Sequence, residues 1–156
     1  MKDRLELEQQ IEKAFASVEC PEPEDYTTSK GGEAYEESSE FFGKDWRGLD
    51  HTFLITYRDV LFWFTPEAFH YYLPAFLVAS LRSGDDNALY VHSILQLLRE
   101  VIGADFIRAR LRPMSDAQLA AIDGWLEWLS ERNSADDLFA DEVRQARQVL
   151  GERRWH

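Results

Sequence analysis

Apolar residues recur at three- and four-residue spacings along most of the chain, which is the pattern of amphipathic helices. The first run, within residues 3–18, places four apolar residues on one face: Leu7, Ile11, Ala14 and Val18. The same periodicity predicts helices over residues 65–82, 88–102 and 135–150, a further helix that begins at Ser115, and a short helix over residues 105–111. We therefore predict an all-α bundle of about five to seven helices in one domain that spans residues 1–156.

Capping signals predict where several of these helices begin. The tripeptide TPE at residues 65–67 combines an N-cap hydroxyl, a proline at the first helical position and an acid that the helix dipole favours. Ser115 and Gln118 match the S-x-x-Q capping box. Pro74 lies inside the helix predicted for residues 65–82, where it removes a backbone donor, so we expect a kink there.

Residues 51–62 carry the most ambiguous pattern. Their β-branched and aromatic side chains would also suit strands. No second strand-like stretch exists to pair with them, and isolated strands are not stable. We therefore predict a helix over this range, with Asp50 as its N-cap.

The core is predicted from the apolar stripes of three helices. The helix over residues 88–102 is apolar almost all round, so we expect it to be the central one. The residues expected in the core are Phe69, Leu73, Phe76, Leu77, Ile94, Leu98, Ile122 and Leu126.

A strongly acidic stretch follows the first helix. Pro21 and Pro23 end that helix, and residues 19–40 hold eight acidic side chains against the single Lys30, with two consecutive glycines in the middle. We expect part of this stretch to be a mobile acidic loop. A short helix over residues 33–42 is expected to close it.

Composition narrows the class of protein further. The formal charge is −12 and the hydrophobic fraction is 45%, which suits a globular core under an acidic surface. Such a surface repels phosphate backbones, so we expect no nucleic-acid partner. The single Cys20 cannot form an internal disulfide, no signal-peptide pattern opens the sequence, and no apolar stretch reaches the roughly 20 residues of a membrane span. These features predict a cytoplasmic protein that does not enter a membrane.

One cluster of residues has the chemistry of an active site. Glu67, His70 and Tyr71 share a helix face beside the expected proline kink, and a Glu–His pair next to a tyrosine could do general acid–base work. A kink opens space between helices, where Asp45 and Trp46 could complete a ligand pocket. The structural interpretation is simpler, because the dipole alone favours a first-turn acid and a kinked aromatic helix is a common packing element.

Other catalytic chemistry has no support in the sequence. The four histidines are His51, His70, His92 and His156, and they show no metal-ligand spacing and no neighbouring cysteine cluster. We therefore expect no metal site and no cofactor. There is no G-x-S-x-G elbow, Cys20 lies among acids that disfavour a reactive thiolate, and no G-K-[ST] follows the paired glycines.

Three stretches resemble a family of small acidic bacterial proteins that is known as uncharacterised. They are GKDWRGLD at residues 43–50, FTPEAFHYYLPAF at residues 64–76 and SDAQLAAIDGWLEWL at residues 115–129. The similarity extends over most of the chain. It implies a bacterial, cytosolic, helical protein, and it brings no functional residue to carry over.

Two functions from different classes fit these patterns. The first is a protein-binding module of the immunity, antitoxin or adaptor kind, which meets a basic partner by electrostatic steering. The acids expected to contribute are Glu22, Glu24, Asp25, Glu36 and Glu37. The second is an enzyme or small-ligand receptor with a pocket near His70 and the kink at Pro74. Against the first stands the simple use of surface acids for solubility.

Overall fold

Helices make up most of the residues that the computed structural model describes, which are 3–83, 89–99, 103–132 and 138–152. Within these ranges there are nine α-helices and no strand, and Thr27 pairs with Phe64 in an isolated antiparallel bridge. The helices are α1 (Arg4–Phe15), α2 (Gly32–Ser39), α3 (His51–Thr56), α4 (Val60–Trp63), α5 (Pro66–Ser83), α6 (Leu89–Leu98), α7 (Ala104–Leu111), α8 (Asp116–Arg132) and α9 (Leu138–Glu152). The all-α prediction is confirmed, but five to seven helices is too low a count. His156 and the predicted helical residues 88, 100–102 and 135–137 lie outside the described ranges.

One of the additional helices arises because residues 51–62 form α3 and α4 instead of one helix. Tyr57 leaves the helical conformation, with φ −111° and ψ 36°, and the Arg58 guanidinium donates to a carbonyl oxygen in the last turn of α3 at 3.2 Å. Aromatic and β-branched residues give a helix little intrinsic stability, so tertiary packing decides its course. The bend buries both Leu54 and Val60.

The predicted helix caps are confirmed. Asp50 accepts a backbone N–H of α3 at 2.8 Å, and the Thr65 hydroxyl accepts one from the first turn of α5 at 3.2 Å. In the capping box before α8, the Gln118 N–H donates to Ser115 Oγ at 3.1 Å and the Ser115 N–H donates to Gln118 Oε1 at 2.9 Å. These bonds satisfy backbone donors that would otherwise be unpaired at the helix starts.

Helix α5 occupies the centre of the molecule, and it continues through Pro74 without interruption. It packs against α1, α3, α6, α7 and the 3-10 turn Trp46–Gly48, and residues 71–81 are all buried. This corrects the expectation that the helix predicted over residues 88–102 would be central. All eight predicted core residues are fully buried, as expected. A kink at Pro74 stays a prediction. None of the described helices is both long and apolar enough to cross a bilayer.

Helix α1 closes the bundle against α8. A Cβ atom at Gly124 would lie 3.2 Å from the Leu7 side chain, so glycine permits the close approach of the two helices. The Gln118 side chain donates to the Ala14 carbonyl oxygen at 3.0 Å, from the start of α8 to the end of α1. An apolar contact and a hydrogen bond therefore join α1 to α8, two helices that are distant in sequence.

The acidic stretch contains more helix than a loop would. Residues 19–40 include the 3-10 turn Pro23–Asp25 and the whole of α2. Helix α2 overlaps the short helix that was predicted over residues 33–42. The Thr65 hydroxyl donates to the Asp25 carbonyl oxygen at 2.5 Å, and the Thr65 N–H donates to the Tyr26 carbonyl oxygen at 2.9 Å. These bonds attach the turn to the beginning of α5. The mobility expected of this stretch stays a prediction.

Two buried tyrosine hydroxyls join the acidic stretch to α5. Tyr72 Oη lies 2.9 Å from Tyr26 Oη, and 2.7 Å from the carbonyl oxygens of Phe41 and Lys44. The Gly43 N–H donates to Tyr26 Oη at 2.9 Å, and its φ of +72° is one that glycine adopts readily. Burial raises the pKa of Tyr26 to about 12 and raises the pKa of Tyr72 as well, because a phenolate is poorly solvated there.

Arg110 on α7 is a buried cation, only 8% exposed. Its guanidinium donates to the carbonyl oxygens of Phe64 at 2.6 Å and Phe106 at 3.0 Å, and lies 3.5 Å from the Phe106 ring centroid. No carboxylate pairs with it among the described residues. Burial lowers its pKa to about 10. Arg110 therefore joins α7 to the end of α4 through backbone acceptors and an aromatic face.

Candidate functional site

The predicted binding acids lie on the 3-10 turn Pro23–Asp25, immediately before it, and on α2. Glu22, Glu24, Asp25 and Glu36 are exposed, whereas Glu37 is half-buried. None of the five forms an ion pair within the described parts of the chain. This part of the surface therefore keeps its negative charge.

Beside these acids lies a concave surface that we call the acidic groove. Its volume is about 840 Å³. It is lined by Pro23, Glu24, Asp25, Thr27, Thr28, Ser29, Lys30, Tyr35, Phe42 and Thr65. The carboxylates of the groove lie on the 3-10 turn Pro23–Asp25, which is hydrogen-bonded to the start of α5. Since α5 belongs to the core, the core fixes the position of this side of the groove.

Two large aromatic side chains are exposed near the groove. Tyr35 on α2 is 40% exposed and Trp63 on α4 is 36% exposed. The Trp63 indole N–H donates to Glu37 Oε2 at 2.8 Å, which fixes the ring against α2. Tyrosine and tryptophan are enriched among the residues that contribute most of the binding energy at protein interfaces, whose rims are polar. The exposure of Tyr35 and Trp63 is a tertiary property that helical periodicity did not identify.

The structure gives different surroundings to the three residues of the predicted cluster, Glu67, His70 and Tyr71. Glu67 is exposed in the first turn of α5. His70 faces α8, where its Nε2 lies 2.8 Å from Gln118 Oε1, and its ring meets the Phe15 ring edge-on at 6.1 Å between centroids. An amide oxygen does not tune an imidazole for proton transfer as a carboxylate would. The position of His70 is accordingly that of a packing residue between α5, α1 and α8.

Tyr71, Asp45 and Trp46 are brought together on another side of α5. Tyr71 is 5% exposed, and burial raises its pKa, while the neighbouring Trp46 backbone N–H lowers it and the Asp45 charge raises it. Asp45 caps the 3-10 turn by accepting the Arg47 N–H at 2.9 Å. The described residues contain no group of three His, Cys, Asp or Glu side chains that could hold a metal ion.

Next to this turn lies a cavity of about 410 Å³, which we call the Trp46 cavity. It is lined by Glu12, Trp46, Arg47, Gly48, Leu49, Asp50, His51, Ala75, Val78, Ala79, Arg82 and Ser83. Trp46 was predicted for a pocket, whereas the contributions of His51 and Arg82 were not. The signal that could have indicated the cavity is the spacing of Ala75, Val78 and Ala79, which leaves one face of α5 with small side chains.

Comparison with known proteins identifies a family without assigning an activity. Residues 3–148 match the sequence model of a family described as "Family of unknown function (DUF6714)". Since this match covers most of the chain, the chain belongs to that family. No curated protein and no solved structure matches the chain.

Proposed function

We propose that this member of DUF6714 is a protein-binding module that holds a basic protein partner against the acidic groove and the adjoining surface of α2. The proposal includes a bacterial, cytoplasmic setting and a role of the immunity, antitoxin or adaptor kind. It rests on the combination of the unpaired carboxylates of this surface with two exposed aromatic rings beside a groove.

The charges and the rings have different roles in binding. Unpaired carboxylates attract a basic partner from a distance and can raise its association rate constant from about 10⁵–10⁶ to about 10⁸ M⁻¹s⁻¹ at low salt. Tyr35 and Trp63 supply apolar area that is buried on contact, which slows dissociation. A surface that served only for solubility would need the charges but not oriented aromatic rings.

The alternative function, an enzyme or small-ligand receptor centred on His70 and Pro74, has less support. His70 is bonded to Gln118, and Glu67 lies on the exposed first turn of α5. The Trp46 cavity has the size of a ligand site, but neither His70 nor Glu67 lines it.

The test compares two variants with equal changes in charge. The first replaces Glu22, Glu24, Asp25 and Glu36 with Gln or Asn; the control replaces Glu6, Glu67, Asp105 and Glu131, which are exposed elsewhere. Parent and variants are used to capture partners from the native cytosol. Association rates with the captured protein are then measured at several salt concentrations.

We expect the parent and the control to capture the same basic protein, and the groove variant to associate at least about tenfold more slowly at low salt. The melting temperature of the groove variant should stay close to that of the parent, because the replaced side chains are exposed. Equal capture by both variants, or an association rate that does not respond to salt, would refute the proposal. Glu37 is tested separately, since replacing it also removes the bond to Trp63.

A further inference from the structure

Arg47 shows how a single arginine covers an aromatic ring and a carboxylate together in this fold. Its guanidinium carbon lies 4.7 Å from the Trp46 ring centroid, and its Nη1 lies 3.4 Å from Asp45 Oδ1. Arg132 repeats the ring contact, with 4.7 Å to the centroid of Trp128. A guanidinium suits such a place because it is planar, weakly hydrated and carries five N–H donors.

The acidic groove presents the same two groups without an arginine of this chain. Glu24 and Asp25 form no ion pair within the described residues. In those same ranges no cation lies over the ring of Tyr35. That ring meets Phe42 edge-on, with 6.1 Å between centroids, and is 40% exposed. The ring is therefore held in place by packing while part of its surface stays open to a partner.

Lys30 is the basic side chain in the lining of the groove. It is exposed and forms no ion pair with the groove acids among the residues described. Two carboxylates against one ammonium give the lining a formal charge of −1, and the adjacent Glu22 and Glu36 bring the total to −3. The local charge therefore attracts a cation, and Lys30 opposes that attraction.

From this arrangement we infer that the acidic groove recognises arginine in preference to lysine. An arginine side chain of the basic partner lies with its guanidinium over the Tyr35 ring and donates to the carboxylates of Glu24 and Asp25, as Arg47 does with its own ring and acid. A lysine ammonium is compact and strongly hydrated, so it pairs with the carboxylates but gains less from the ring. The groove volume of about 840 Å³ leaves room for the neighbouring residues of the partner segment. The inference rests on the proposed function for the surface and adds the chemistry of the partner.

The experiment uses three fluorescently labelled peptides and the full chain. They are hexaarginine, hexalysine and hexacitrulline; citrulline keeps nearly the shape of arginine and removes its charge. Binding is measured by fluorescence anisotropy at low salt and again at about 150 mM salt. The first two peptides carry equal charge, so long-range attraction is common to both. We expect hexaarginine to bind at least about threefold more tightly than hexalysine, and hexacitrulline to bind at least about tenfold more weakly than either.

Variants of Tyr35 test the role of the ring. Tyr35→Leu removes it, and should lower the affinity for hexaarginine about threefold while the affinity for hexalysine changes little. Tyr35→Phe keeps the ring and should retain the preference for arginine. Because the side chain is partly exposed, both variants should melt close to the parent.

Variants of the groove acids test the carboxylates. Glu24→Gln combined with Asp25→Asn should weaken binding of both basic peptides about tenfold at low salt. The matched control, Glu67→Gln combined with Asp105→Asn, removes the same charge from exposed residues elsewhere and should change binding by less than about twofold.

A gain of affinity gives an independent test. Lys30→Gln removes the cation that opposes a basic partner, and should strengthen binding of both basic peptides about two- to fivefold at low salt. Lys13→Gln, at an exposed residue of α1, is its control and should change binding by less than about twofold. This pair of variants reports on the groove even if Tyr35→Leu proves unstable.

Three results would overturn the inference. They are equal affinity of the parent for hexaarginine and hexalysine, an unchanged ratio of the two affinities in folded Tyr35→Leu, and equal binding by the groove-acid variant and its control. A captured partner whose association depends on the groove acids would leave the proposed function standing even then. Conversely, an arginine preference that depends on Tyr35 would uphold this inference, although failure to capture any protein would refute the proposed function.

Discussion

Replacing Tyr72 with phenylalanine removes one buried hydroxyl and leaves the ring in place. That hydroxyl lies within 2.9 Å of three oxygen atoms, on Tyr26, Phe41 and Lys44. The ring is fully buried and stacks on Phe64 with 5.4 Å between centroids. Phenylalanine keeps this packing, so the effect of the change reports on the hydroxyl alone.

The expected loss of stability follows from the hydrogen bonds that each partner of the hydroxyl retains. Phe41 keeps a longer bond, 3.4 Å, from the Tyr26 hydroxyl, whereas Lys44 loses the hydroxyl as a donor to its carbonyl oxygen. A net hydrogen bond contributes about 1 kcal/mol, and an acceptor left without a partner adds about 1–3 kcal/mol. We therefore expect Tyr72→Phe to lower the free energy of unfolding by about 2–4 kcal/mol. For a chain of this size the melting temperature should fall by roughly 4–16 °C.

The assay combines urea unfolding with amide hydrogen exchange. Tyr35→Phe serves as the control, because that ring is 40% exposed and should change stability by less than about 0.5 kcal/mol. Exchange at Gly43 reports directly on the pair, since its N–H donates to Tyr26 Oη. In a double-mutant cycle, Tyr26→Phe with Tyr72→Phe should be less destabilising than the two single changes added together. A Tyr72→Phe variant that unfolds with the parent would show that the hydroxyl pair does not hold the turn at Gly43.

Two further predictions concern pH and the core. The raised pKa of Tyr26, about 12 against an ordinary 10.0, means that the folded state keeps a proton that the unfolded state releases above pH 10. Its stabilising contribution is full below pH 10 and is lost as pH rises towards 12, so urea unfolding should show falling stability across that window, with a shallower fall in Tyr26→Phe. Leu98→Ala, at a fully buried residue of α6, should lower stability by about 2–5 kcal/mol. A Leu98→Ala variant with parental stability would contradict the packing of α6, and Leu5→Ala, at a side chain 60% exposed, is its control.

Local signals in the sequence predicted the helices that have strong caps and regular stripes. Thr65 precedes α5 and Ser115 precedes α8, and each hydroxyl accepts a hydrogen bond from a backbone N–H in the first turn of its helix. Such bonds involve only neighbouring residues. Leu98 and Ile122 were placed in the core because periodicity alone puts them on an apolar face. The split between α3 and α4 could not be obtained this way, because it depends on what Tyr57 and Arg58 contact.

The candidate sites depended still more on contacts between distant segments. Sequence placed His70 and Tyr71 on one helix face, but the partner of His70 is Gln118, which lies 48 residues away. The Trp46 cavity needs side chains from α1, α3, α5 and the turn at Trp46, which no local spacing brings together. The acidic residues were visible in the composition, whereas the aromatic rings beside them became recognisable only through their exposure.

The closure of α1 against α8 has a consequence for how the chain is made. Ala14 and Gln118, which are bonded across this contact, are separated by 104 residues. At translation rates of about 5–20 residues per second, α8 leaves the ribosome roughly 5–20 seconds after α1. During that interval Leu7, Ile11 and Phe15, all fully buried in the finished protein, have no α8 to cover them. A nascent chain arrested before α8 therefore exposes this face of α1 to chaperones and to aggregation, and the arrival of α8 covers it.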